Sequence, residues 1–121
     1  MQEEKSVMLA DRTVDYGLAV IDYVETLPRN PAGRHISDQL LRSATSVAAN
    51  YAEASEAESA DDFIHKMKIA MKELKESRVW LLFARRLQYS EEVKRLMDES
   101  RQMVLMLGKS LVTATSRQKR Y

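Results

Sequence analysis

Both prolines of the chain and one of its three glycines fall inside six residues, Pro28 to Gly33. Proline has no amide to donate inside a helix, and its ring collides with the preceding turn. The segment "LPRNPAGRH", Leu27 to His35, is therefore an enforced break, and little else in the chain punctuates the backbone. An all-β fold needs frequent turns rich in glycine and proline. Three glycines and two prolines in 121 residues cannot supply them. Long helices are what the chain can form.

Helical periodicity divides the sequence into four segments. The first spans about 6–27, with Val7, Val14 and Ile21 at seven-residue spacing and Ala10, Gly17, Leu18 and Val24 beside them as the expected inward seam. Gly17 in mid-helix costs about 1 kcal/mol relative to alanine, a cost that close approach of another helix would explain. The second spans 37–57, with Ser37 as expected N-cap and Ile36, Leu40, Ala44, Val47, Tyr51 and Ala54 as core stripe. The third spans 60–87 after a capping-box-like start, Ser59 with Asp62 three residues on, and its stripe is Phe63, Met67, Ala70, Leu74, Leu81 and Ala84. The fourth spans 90–114 on Val93, Leu96, Met97, Met103, Val104, Leu107 and Leu111, with Glu91 and Glu92 suited to its first turn. Residues 115–121 form a basic tail. These elements predict an all-α fold of one domain over residues 1–121, an antiparallel up-down-up-down four-helix bundle.

The bundle has more apolar surface than one copy needs. "VWLLFA", Val79 to Ala84, is apolar around the whole helix, and "MVLML", Met103 to Leu107, broadens the fourth stripe. Trp80, Phe83 and Leu87 fall beside the core stripe and are the candidate oligomer interface, since a contiguous exposed apolar patch marks a partner. The bland alternative is that Trp80 closes one end of the core.

Reactive chemistry is hard to assemble from this chain. It has no cysteine, so no disulfide, thiolate metal site or thiol nucleophile. No Gly-rich loop can cradle a phosphate, and the serines lie in no G-x-S-x-G elbow. "DFIH", Asp62 to His65, resembles only one of the two Glu-x-x-His pairs a di-metal bundle needs, half the constellation, and His35 falls in the break. An enzyme is not expected, nor a cofactor or a metal. In "QLLRSATSVAANYAEA" the polar residues Arg42, Ser43, Ser46, Asn50 and Glu53 run along the edge of the core stripe. With Glu73 and Glu76 they read as a structural seam between helices two and three.

Net charge is only +1, but it is unevenly spread. From Arg85 onward there are nine Lys/Arg against four acids, about +5 locally. Arg85, Arg86, Lys94, Arg95, Arg101, Arg117, Lys119 and Arg120 are therefore the candidate nucleic-acid contacts. A solvated helical surface is the competing reading. The N-terminus is not a secretory signal and no stretch has the length of a membrane span, so a cytoplasmic protein without membrane contact is expected.

Gln39-Leu40-Leu41-Arg42-Ser43, Ser46-Val47, Asn50-Tyr51 and Glu53-Ala54 form a combined pattern with Phe63-Ile64, Lys66, Ala70, Glu73, Glu76 and Trp80-Leu81. Over 27–89 it resembles the bacterial four-helix-bundle proteins related to those encoded in intervening sequences of 23S rRNA genes. The same superfamily includes the accessory variability protein of diversity-generating retroelements. The resemblance implies a homopentameric barrel of bundles. For the retroelement accessory protein it implies a basic surface that binds nucleic acid and a reverse transcriptase. Those accessory proteins are markedly basic, and this chain is not. The readings are thus a non-enzymatic homo-oligomer that binds RNA or DNA, or a protein-interaction scaffold that touches neither.

Overall fold

The computed structural model describes residues 2–119, with side chains from residue 8 onward. Val7 and Arg120, expected in the first seam and the basic tail, lie outside the described side chains. Four helices follow one another: α1 (Gln2–Val24), α2 (Pro31–Ser55), α3 (Ala60–Leu87) and α4 (Glu91–Lys119). No strand occurs among the described residues. α1 packs against α2 and α4, and α3 does the same, so α1 and α3 stand on a diagonal. The α2–α3 seam is the most extensive and the α1–α4 seam the least.

Cross-helix pairs follow the chain outward from each connection. Glu53 pairs with Lys66 near the α2–α3 turn, and Arg42 meets Glu73 and Glu76 further from it. Arg85 touches Met97 near the α3–α4 turn, whereas Asp61 pairs with Gln118 at the far end.

The core stripe expected of α2 is buried as read, from Ile36 to Ala54. On α3, Met67, Ala70, Leu74, Leu81 and Ala84 are buried, and Ser77 fills the gap in that stripe. α4 contributes Val93, Leu96, Met103 and Leu107.

α1 differs from its expected seam. Val14, Leu18 and Ile21 are exposed, and the buried face is instead Leu9, Thr13, Tyr16, Val20 and Tyr23. The tyrosines win because each hydroxyl finds a partner inside. Tyr16 shares a 2.7 Å hydrogen bond with Ser77 Oγ, and Tyr23 donates to the Gln88 carbonyl at 2.8 Å. A buried phenol with its hydroxyl satisfied hides more apolar area than a valine does.

The boundaries also shift. α1 ends at Val24 rather than Leu27, and α2 starts at Pro31, six residues before Ser37. Asn30 caps α2 by accepting a 2.8 Å bond from the Gly33 amide, and Pro31 occupies the first turn. There the missing proline amide has no intrahelical partner to lose. "PAGRH" is therefore helix, Gly33 is not a turn, and His35 is helical. Gly33 is required for space: a Cβ would lie 1.8 Å from the Pro28 carbonyl oxygen. α4 starts at Glu91, with Ser90 Oγ accepting from the Val93 amide, and runs to Lys119, beyond the expected end at residue 114.

Candidate nucleic-acid interface

Arg78, Val79, Leu82 and Arg85 share one side of α3, at three-, four- and seven-residue spacings. Across from them α4 presents Lys94, Arg95, Met97, Asp98 and Arg101. Together with Tyr89 and Glu91 these charged residues and Met97 line an open groove of about 540 Å³. Five cations face two carboxylates there. Asp98 accepts a 2.8 Å bond from Arg101, which holds its carboxyl below the usual range, and Gln102 reinforces that. Arg95 reaches only the rim, 3.7 Å from Glu92. Arg85 and Lys94 have no ion pair among the described residues, and Arg85 contacts only the Met97 sulfur at 3.7 Å.

The back of the groove is built from the core. Arg78 donates through Nε to Ser100 Oγ at 2.9 Å, and Ser100, fully buried, donates to the Met97 carbonyl. Beneath it Tyr16 meets Ser77, whose own proton goes to the Leu74 carbonyl, so the phenol is the donor. Burial pushes the Tyr16 hydroxyl up to about 12, against the opposing pull of Ser77 and Ser100. Tyr23 holds the α3–α4 connection by its bond to Gln88, whose amide in turn caps α3 at Ala84.

Of the expected nucleic-acid contacts, Arg85, Lys94, Arg95 and Arg101 come together at this groove. Arg86 is exposed outside it. Arg117 and Lys119 lie at the opposite end of α4, about 24 Å or more beyond Arg101 at 1.5 Å per residue. Arg78 and Tyr89 were not anticipated. The seven-residue spacing from Arg78 to Arg85 was a usable signal, whereas nothing local distinguishes Tyr89.

The polar residues expected along the α2–α3 seam are bonded differently from the expectation. The Ser43, Ser46 and Asn50 side chains do not bond one another's side chains or α3; each donates to the backbone carbonyl four residues back, that of Ser46 in the case of Asn50. Arg42 bridges the helices, donating to Glu73 at 3.0 Å and also to Glu76, and Glu53 meets Lys66 nearer the turn. Glu76 additionally accepts the Trp80 indole N–H at 3.0 Å. Trp80 packs against the His35 and Phe83 rings, with Phe83 53% exposed and Trp80 and Leu87 half-buried.

Among the described residues no group of three His, Asp or Glu side chains could hold a metal ion. No helix there is long and apolar enough to cross a membrane.

Comparison with known proteins gives a family and a structural relative. The family described as "23S rRNA-intervening sequence protein" matches residues 5–109. A crystal structure from Bacteroides thetaiotaomicron, described as a protein of unknown function from the S23 ribosomal protein family, is 29% identical with a TM-score of 0.80. The alignment covers 88% of this chain and 97% of that one. No curated protein matches the sequence.

Proposed function

We propose, for a chain that belongs to the 23S rRNA-intervening sequence protein family, a non-enzymatic nucleic-acid-binding bundle that works as a homo-oligomer in the cytoplasm. The observation that carries this reading is the α3–α4 groove, where Arg78, Arg85 and Lys94 have no carboxylate partner among the described residues. A net charge of +1 does not oppose it, because phosphates respond to the local field of a groove rather than to the total. Each phosphate neutralised releases counterions, so affinity must fall steeply with salt. The test is filter retention of mixed single- and double-stranded RNA and DNA at about 50 mM salt, where such contacts are strongest. Retention that weakens in the Arg85→Glu/Lys94→Glu double variant supports the groove. Absence of any retention by the native chain overturns the reading.

Self-association is supported by two bare apolar faces. Val14, Leu18 and Ile21 are exposed on α1, and Val79 and Phe83 on α3. In an antiparallel up-down-up-down bundle, these diagonal helices present their outer faces on opposite sides. A closed ring built from head-to-tail contacts needs two different faces on each protomer. A homopentamer is the ring we favour, with Trp80, Phe83 and Leu87 in one of its contacts. The second reading is a protein-docking scaffold: the α3 face would take a partner protein such as a reverse transcriptase, and the groove would bind no nucleic acid.

A further inference from the structure

Tyr89 is the one aromatic residue lining the cationic groove, and the residue is 59% exposed. Among the described residues no hydrogen bond or ring contact engages it, whereas Tyr16, Tyr23 and Trp80 each have a hydrogen-bond partner. It does not sit on a loose loop. Gln88, the residue before it, is bonded on both sides, its amide to Ala84 and its carbonyl to Tyr23, and Ser90 after it caps α4. An exposed phenol on a held backbone loses little freedom when it acquires a partner.

A flat apolar ring beside Arg78, Arg85 and Lys94 matches the two halves of a nucleotide, a base and a phosphate. We infer that the groove takes a single-stranded nucleic acid, with an unpaired base stacked on Tyr89 and the adjoining backbone phosphates on Arg78 and its neighbours. The inference rests on the nucleic-acid reading above and narrows it to unpaired strands. In a duplex each base has its faces covered by its neighbours, so only an unpaired or splayed base has a face to offer. Arg78 is suited to the phosphate, because Ser100 fixes the guanidinium through Nε and leaves the two terminal nitrogens without a carboxylate.

The test measures fluorescence anisotropy of labelled twelve-nucleotide strands, as RNA and as DNA, and of the matching blunt duplexes. Native protein is compared with Tyr89→Ala and Tyr89→Phe. Stacking on one ring corresponds to about a 5- to 140-fold effect, so Tyr89→Ala should weaken both single strands by that factor. Tyr89→Phe, which keeps the ring, should bind within twofold of native, and duplex binding should change less than twofold in either variant. With 2-aminopurine in the strand, quenching on binding should persist in Tyr89→Phe and vanish in Tyr89→Ala. The RNA and DNA arms show whether the sugar is read or only base and phosphate.

Single-strand binding that is insensitive to Tyr89→Ala overturns this inference and leaves the groove reading standing. So does an equal loss for strand and duplex. If the native protein retains no nucleic acid of any kind, both fall. Because Tyr89 has no side-chain partner among the described residues, circular dichroism of Tyr89→Ala should match the native chain.

Discussion

Two glycines in this chain look alike in sequence and are used in opposite ways. At Gly33 a Cβ would strike the Pro28 carbonyl at 1.8 Å, backbone that cannot step aside while Asn30 caps the helix. At Gly17 the nearest atom to an added Cβ is Thr45 Cγ2 at 3.6 Å, an ordinary contact. Gly33→Ala should therefore lower stability by about 3 kcal/mol through the forced shift. Gly17→Ala should raise it by up to about 1 kcal/mol through helix propensity. Urea unfolding of the two variants checks both signs. The buried phenols make a separate prediction. Tyr16 and Tyr23 are both pushed up to about 12 by burial, so the fold holds their protons more tightly than the unfolded chain, where tyrosine titrates near 10. Their contribution is complete below about pH 10 and is lost as pH rises through about 12. Tm should be level up to about pH 10 and fall beyond it, less steeply in a Tyr16→Phe/Tyr23→Phe chain.

At the level of helices, α2 was readable because one apolar stripe is separated cleanly from charge. α1 was not, because it carries two apolar stripes, one of aliphatic residues and one that includes tyrosine. Which stripe goes inside depends on Ser77 and the Gln88 carbonyl, groups about sixty residues away, and helical period holds no information about them. The start of α2 was missed for a local reason: proline was read as a stop, and after a capping asparagine it begins a helix. The seam between α2 and α3 was legible as polar, but the side chain that ties Glu73 and Glu76 across it is Arg42. Removing that side chain leaves Glu73, only 16% exposed, beside Glu76 without a counter-charge. Arg42→Ala should lower stability by about 1–2 kcal/mol, between the values of a surface pair and of a bond to a charged group. Asn50→Leu, by contrast, breaks only a bond within its own helix and should cost less. Thermal melts of the two proteins give the order.

For the whole molecule, charge counting found most of the groove, since the excess of Lys/Arg after Arg85 is visible in composition. It missed Arg78, which stands among the acids of "KELKESR", and it grouped Arg117 and Lys119 with cations that lie at the other end of α4. Sequence order also hid the second apolar face, because Val14, Leu18 and Ile21 were assigned to the core. If the two faces close a ring, Leu18→Glu and Phe83→Glu should each break it. Light scattering after size exclusion should then give 13.9 kDa for either variant and a multiple of it for the native chain. A native monomer at micromolar concentration would remove the ring.

The Tyr23–Gln88 hydrogen bond joins residues 65 apart in sequence. The basic groove belongs to α3 and α4, yet its turn is fastened by α1. Cutting α1 away would take no cation out of the groove and would still loosen the turn that carries Tyr89. Tyr23→Phe is the gentlest form of that cut. It should speed amide exchange around residues 88–90 and shorten the lifetime of bound strands, although Tyr23 is not among the groove's lining residues.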